Sequence, residues 1–305
     1  MRLLHAGMVL AAVIGTLVWA STASAASTAS AFTVTELDPG NFSESTDIDN
    51  KWWPLQPGWQ YTYEGQSDRG GGLRPHRVVF TVTDVTKVID GVRTRVVWDR
   101  DIHDGTLSEE EIHFHAQDDD ENVWSMGEYP EEYEDGVFTG APATWLSGVD
   151  DGKGGIHIQG KAVLGSEAYQ QGIAESVEFW NVAQVFAIHR PFCLPSHCFR
   201  KVLQIHETSP LEPADGGVYK YYARKLGLIL VEPAGNVEQE SLTLTSVKRL
   251  SRYYRKQANE RTLALDARAY DEAAEVYGDS EPAQLKRRHH HDDDDDDDDD
   301  DRDDD

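Results

Sequence analysis

Residues 76–101, "HRVVFTVTDVTKVIDGVRTRVVWDRD", decide the fold. Two runs rich in Val, Ile and Thr flank Asp90-Gly91, and such a dipeptide between β-branched runs closes a two-residue hairpin. Neither run has the i, i+3, i+4 apolar spacing of a helix. Strand patterns continue outward in both directions. "WQYTYEG" (59–65) alternates aromatic and polar residues upstream, and "EEIHFHAQ" (110–117) and "VWSMGEY" (123–129) follow downstream. They resume in "SVEFWNVAQVFAIH" (176–189), "FRKVLQIHET" (199–208), "VYKYYAR" (218–224), "LGLILVE" (226–232) and "ESLTLTSVKRL" (240–250). About ten strands at hairpin spacing predict a mainly β fold. The sheet is expected to be antiparallel and strongly curved or barrel-like, because closure removes aggregation-prone edges.

Between these blocks, residues 139–172 hold eight glycines and little periodicity, and read as a long loop wrapping the sheet. After residue 249 the pattern changes. Leu263, Ala267, Tyr270, Ala274 and Tyr277 recur at steps of four and three, predicting an amphipathic helix over 250–280 that lies against the sheet. Gly278 and Pro282 supply its stop. The β domain is therefore placed at 51–249. Residues 26–50, rich in Ser and Thr, read as a flexible leader. Residues 281–305 read as a disordered His/Asp-rich tail that cannot bury apolar surface.

The first 25 residues, "MRLLHAGMVLAAVIGTLVWASTASA", combine a basic Arg2, an apolar run over 8–20 and a small-residue Ala23-Ser24-Ala25 site. That is the pattern of a secretory signal peptide, so a secreted or periplasmic location is expected. The apolar run is too short for a good bilayer span, and no later stretch approaches membrane length, so no transmembrane segment is expected. The formal charge is −27, and the last fourteen residues carry thirteen aspartates and one arginine. Such a chain repels phosphate backbones, which argues against nucleic acid. Cations and basic surfaces are its natural partners. Nothing in the pattern sets an oligomeric state.

Candidate sites follow from period two. On a strand Glu111, His113 and His115 share one face, with Ile112 and Phe114 on the other. With Ile112 and Phe114 in the core, the ionisable trio would face solvent or the barrel mouth. It is then either a polar outer face or a Zn²⁺ or Cu²⁺ site completed by His103 from the preceding strand. Asp118, Asp119, Asp120 and Asn122 lack the glycine of an EF-hand loop and read as a hairpin turn, with a weak Ca²⁺ site at Asp118 and Asp120 as the alternative. Cys193 and Cys198, the two cysteines, form a disulfide in an oxidising compartment. The rival is a metal knot with His189, His197 and His206. In the tail, His289, His290 and His291 could hold a transition metal, and Asp292, Asp293, Asp294 and their successors could condense Ca²⁺.

Three segments carry a resemblance. "NKWWPLQPGWQYTYEG" (50–65), "VWSMGEYPEEYEDG" (123–136) and "SPLEPADGGVYKYYARKLGLILVE" (209–232) resemble the signature segments of a widespread group of exported bacterial β proteins. That group has a WPL-PG start, an FGE segment and a PLEP…YKYYA hairpin, and no activity is established for it. The resemblance spans about residues 45–250 and implies the β fold and export, not a chemistry. No nucleophile elbow, zincin motif or phosphate loop is present. Carboxylates such as Glu111, Glu128 and Glu132 could serve a glycosidase, and Trp52, Trp53, Trp59, Trp124 and Trp145 could line a pocket or form the core. The expected function is that of an exported non-enzymatic binding protein with a Ca²⁺-binding polyanionic tail. The alternatives are a metal-dependent hydrolase using His113, His115 and His103, or a carrier of a lipophilic small molecule.

Overall fold

In a computed structural model, the structure describes residues 32–68, 72–195, 197–214, 216–235 and 239–286. The signal peptide expected at residues 1–25 and residues 287–305 of the expected His/Asp-rich tail lie outside the described residues, as do His289, His290, His291, Asp292, Asp293 and Asp294. Residues 281–286 of that tail are ordered instead of disordered, because Gln284–Leu285 pairs as a short strand with Arg74–Ile89.

Twelve strands form the body: β1 (Trp59–Ser67), β2 (Arg74–Ile89), β3 (Val92–His103), β4 (Thr106–Gln117), β5 (Val123–Glu134), β6 (Lys153–Ile158), β7 (Ala168–Ala174), β8 (Phe179–His189), β9 (Val202–Thr208), β10 (Val218–Ala223), β11 (Gly227–Pro233) and β12 (Ser241–Arg249). Each pairs antiparallel with its neighbour in sequence, and β12 pairs back onto β1 from Ser241↔Gln66 to Arg249↔Trp59. The result is a closed up-and-down barrel, as the strand spacing leads one to expect. Its first hairpin turns on Asp90 and Gly91, both at positive φ (50° and 76°), the backbone of the tight turn that Asp-Gly favours.

Two expectations about the barrel wall and its cover need correction. The glycine-rich stretch 139–172 is no wrapping loop: it supplies β6 and β7, which close the ring between β5 and β8. Its glycines are there for close approach. A Cβ on Gly155 would lie 2.6 Å from Gln170 O, so a side chain there would push β7 away. The short strands Val137–Gly140 and Trp145–Leu146 also pair with β5. The leader is the second case. Ser45, Thr46, Ile48 and Asn50 are buried, and Gln117 N donates to Ser45 O, so the wall is already covered before residue 51.

The helix α1 (Arg252–Glu272) starts at Ser251, whose hydroxyl accepts from Tyr254 N, and a short α2 (Ala274–Tyr277) follows. α1 packs outside the barrel against β2, β3 and β4. Its buried face differs from the expected stripe: Ala258, Thr262, Leu265, Asp266 and Ala269 are buried, while Ala267 and Ala274 are exposed. Charge replaces apolar contact there. Arg255 pairs with Asp84, Arg261 with Glu110, Arg268 with Glu131 and Lys87 with Asp266. No helix among the described residues is long and apolar enough to cross a membrane.

A buried carboxylate and imidazole cluster inside the barrel

The face of β4 that carries Glu110, Ile112 and Phe114 is the outer one. Glu110 accepts from Arg261 Nε of α1 at 2.9 Å, and Ile112 and Phe114 sit fully buried. By alternation Glu111, His113 and His115 point into the barrel. That corrects the expectation of a trio facing solvent or the barrel mouth, with Ile112 and Phe114 in the core. The trio is instead enclosed in the lumen, and Ile112 and Phe114 are buried on the outer face. Glu111, His113 and His115 are all buried, at 3 %, 7 % and 1 % exposure.

Register then assembles the site. His113 lies directly opposite Glu128 of β5, and its Nε2 is 3.1 Å from Glu128 Oε2 and 2.7 Å from Glu111 Oε2. Ligand atoms of Glu111, His113 and Glu128 all lie within 4.8 Å of one another, the spread of groups that can converge on one metal ion. A bulge in β5 shifts the register between Phe114 and His115, so His115 faces Ser125 instead of Met126. Met126 is the extra residue, and Gly127 beside it sits at φ 142°, where a Cβ would lie 2.6 Å from Trp145 O.

His115 Nδ1 is 3.2 Å from Trp124 O, so Nδ1 carries the proton and donates to the carbonyl. Nε2 is left with its lone pair, buried and without a hydrogen-bond partner among the described residues. A ring nitrogen held this way by a backbone carbonyl is the usual posture of a metal-ligating histidine. The ring centroids of His113 and His115 are 5.7 Å apart. Burial pushes the His115 imidazole down to about 3, and burial, reinforced by Glu109, Glu128 and Asp99, pushes the Glu111 carboxyl well above its usual range.

His113, His115 and Glu128 line a cavity of about 40 Å³ enclosed by residues from β1, β2 and β4 through β11. At about 10–15 Å³ per water, this is room for roughly three waters, or an ion and its small co-ligands. Its far wall is polar as well. Lys220 of β10 pairs with Glu207 of β9, and Gln171 Nε2 of β7 donates to Glu207 Oε1 and to His157 O, both at 2.9 Å. Trp53 covers one side, stacked on His157 at 4.1 Å between centroids and edge-on to His115 at 4.8 Å. Burial drives the His157 imidazole well below its ordinary value, with His115 and Lys220 adding to the effect.

The other candidate residues fall elsewhere. His103 does not join the cluster; it sits at the far end of β3 beside His76, with 6.4 Å between ring centroids. Asp118 is the organiser of a turn: its carboxylate accepts from Asp120 N, Asn122 N, Asn122 Nδ2 and Trp124 Nε1, between 2.8 and 3.0 Å. Those four donors occupy the oxygens that a Ca²⁺ ion would need, while Asp120 is exposed. Cys193 and Cys198 are joined as a disulfide across a two-stranded hairpin, Phe192–Leu194 with His197–Phe199. That excludes the metal knot.

Sequence reading overlooks Glu128 as a ligand, and it overlooks the far wall altogether. Period two marks His157 in "KGGIHI" and Lys220 in "VYKYYA" as polar residues within apolar strands, but only closure of the ring brings those strands to face β4.

No family model matches the chain, and no curated protein matches it. Two solved structures are similar to it. One is a candidate exported protein with a YmcC-like fold from Bacteroides fragilis NCTC 9343, at 15 % identity and a TM-score of 0.33, over 65 % of this chain and 99 % of that one. The other is a candidate lipoprotein from Parabacteroides distasonis ATCC 8503, at 12 % identity and a TM-score of 0.33, over 66 % of this chain and 100 % of that one. Likeness at this level transfers neither ligand nor activity.

Proposed function

We propose that this protein is an exported binding protein that holds one divalent transition-metal ion inside its barrel. Glu111, His113 and Glu128 supply three ligands, and His115 Nε2 is the candidate fourth. The observation that supports this most is the convergence of the three ligand atoms within 4.8 Å inside a closed barrel. Burying carboxylates side by side is costly unless a cation or a proton offsets them. The lone pair of His115 Nε2 supports the same reading, since nothing among the described residues meets it. Two imidazoles with two carboxylates suit Zn²⁺ or Cu²⁺.

Cavity size favours binding over the two alternatives. A lipophilic cargo needs several hundred Å³, against about 40 Å³ here. A hydrolase acting at this centre would have to admit a substrate of a few atoms only. The aspartate-rich tail adds a second and weaker kind of cation binding, Ca²⁺ condensing on adjacent carboxylates, a reading that stands on the sequence.

The test is metal analysis of mature protein purified without tag or chelator. One tightly held equivalent, lost in His113→Ala with the β circular dichroism retained, is the expected result. Absence of a stoichiometric transition metal, with none taken up from added Zn²⁺, would retire the lumen site. Deletion of residues 289–305 is expected to abolish weak Ca²⁺ uptake in calorimetry; unchanged uptake would retire the tail assignment.

A further inference from the structure

The far wall of the cavity holds polar atoms that the protein itself does not use. Tyr222 Oη and Gln171 Oε1 are buried, line the cavity that contains His113 and Glu128, and have no hydrogen-bond partner among the described residues. Tyr222 is 1 % exposed and Gln171 3 %. The amide nitrogen of Gln171 is spent on Glu207 and on His157 O, so its orientation is fixed and its oxygen is the end left over. The Lys220 ammonium lies in the same wall, its charge offset by Glu207.

Taken together, one side of the cavity offers a set of metal ligands, and the other offers a hydroxyl donor, an amide oxygen that can hold a water, and an ammonium in the same wall. Glu111 and Glu128 would offset the charge of a divalent ion, and an anion added from the void would complete the coordination of Glu111, His113 and Glu128 or expand the four-ligand set with His115 to five. The space, about 40 Å³, corresponds to roughly three non-hydrogen atoms beside or including the ion's own water.

We infer that the metal centre binds an exogenous monoanion of about three non-hydrogen atoms, one end on the ion and the other accepting the Tyr222 hydroxyl hydrogen bond. This rests on the metal reading above and adds the ligand class for which the centre is shaped. Tyr222 acts as an anchoring residue for the anion. It is not a metal ligand.

The experiment uses full-length mature protein loaded with Co²⁺, whose visible d–d bands report ligand exchange, and azide as the triatomic probe. Loading is measured first, before azide is added. Protein that takes up no Co²⁺ overturns the metal reading and this inference with it. With Co²⁺ bound, azide is expected to shift the bands saturably. Tyr222→Phe, which removes an oxygen that makes no hydrogen bond with a described residue, is expected to weaken azide at least tenfold while Co²⁺ affinity and stoichiometry stay the same. Bands that azide does not move, as when the void holds water alone, overturn the anion site and leave the metal site standing. Equal azide affinity in wild type and Tyr222→Phe overturns the anchoring role and with it the inference.

Discussion

Lys87 Nζ lies 3.0 Å from Asp266 Oδ1, with both side chains sealed between the barrel wall and α1. The ammonium also donates to Tyr270 Oη and Glu281 O, and Asp266 Oδ2 accepts from Ala283 N. α1 and the segment that follows α2 are both tied to that one pair. Removing one partner of a buried pair strands the other charge, at a cost of about 3–5 kcal/mol. Asp266→Ala is therefore expected to lower unfolding free energy by about that amount in urea titration. Asp266→Asn, which keeps an acceptor for Ala283 N, should cost less. Equal stability of Asp266→Ala and wild type would mean that α1 contributes little to holding the barrel.

That pair also shows where sequence reading stops. The hairpin at Asp90-Gly91 is legible because its turn chemistry is local: two residues at positive φ need nothing beyond their neighbours. The docking face of α1 is not, because an apolar-stripe rule passes over a face built from Thr262, Asp266 and three arginines that answer acids on β2, β4 and β5. Gly154 and Gly155 mislead for a similar reason. Glycine usually marks a loop, but here the lack of a Cβ lets β6 squeeze between β5 and β7. At the site, period two correctly groups Glu111, His113 and His115 on one face. It cannot say which face is inside, because helix and barrel bury both sides of β4. Glu128 joins them through register, and Ser125 through a bulge, neither of which is written in a single strand.

His76 gives the fold a dependence on pH. Its Nε2 is 2.9 Å from Asp101 Oδ1 and its Nδ1 2.9 Å from Glu240 Oε1, so both ring nitrogens face carboxylates. Burial opposes the charge, but the hydrogen bonds and charges of Asp101 and Glu240 outweigh it and raise the imidazolium from 6.5 to about 9. A folded value above the unfolded one stabilises the native state fully below pH 6.5, and the contribution is lost as pH rises through about 9. At 1.36 kcal/mol per unit the stabilisation is of the order of 3 kcal/mol. Denaturation curves between pH 6 and 10 are expected to show this loss, and His76→Gln should flatten it. A wild-type stability that is constant or rising across that window would contradict the charged state of His76.

Metal binding should appear as stability. A ligand that binds the folded state alone adds RT ln(1 + [L]/Kd), about 2.7 kcal/mol at a hundredfold excess over Kd. Zn²⁺ is expected to raise the melting temperature of chelator-treated wild type, and to do so far less in His113→Ala or Glu128→Gln. Asp118→Asn serves as the control, since its carboxylate is committed to the turn. An equal Zn²⁺ shift in Glu128→Gln and wild type would remove Glu128 from the ligand set.

Trp53 covers one side of the cavity and is expected to slow passage between it and solvent. Asn50 Oδ1 accepts from Trp52 N and Trp53 N, and Asn50 Nδ2 donates to Glu121 O, so the segment that carries Trp53 is pinned to the β4–β5 turn. The indole then lies against both His157 and His115, and a Cβ on Gly227 would lie 3.3 Å from its Cδ1, so β11 packs tightly against it. If this ring closes the route taken by an ion held by Glu111, His113 and Glu128, its removal should speed the ion's release. Trp53→Ala leaves all of these ligands in place and is expected to cost about 3–5 kcal/mol as a large-to-small core change. Its distinguishing effect is kinetic: loss of bound metal to excess chelator should quicken at least tenfold, at a temperature where the variant remains folded. Asn50→Ala, which frees the segment without emptying the site, should move the rate in the same direction by less. A variant that is destabilised but releases metal at the wild-type rate would make Trp53 a core residue with no part in access.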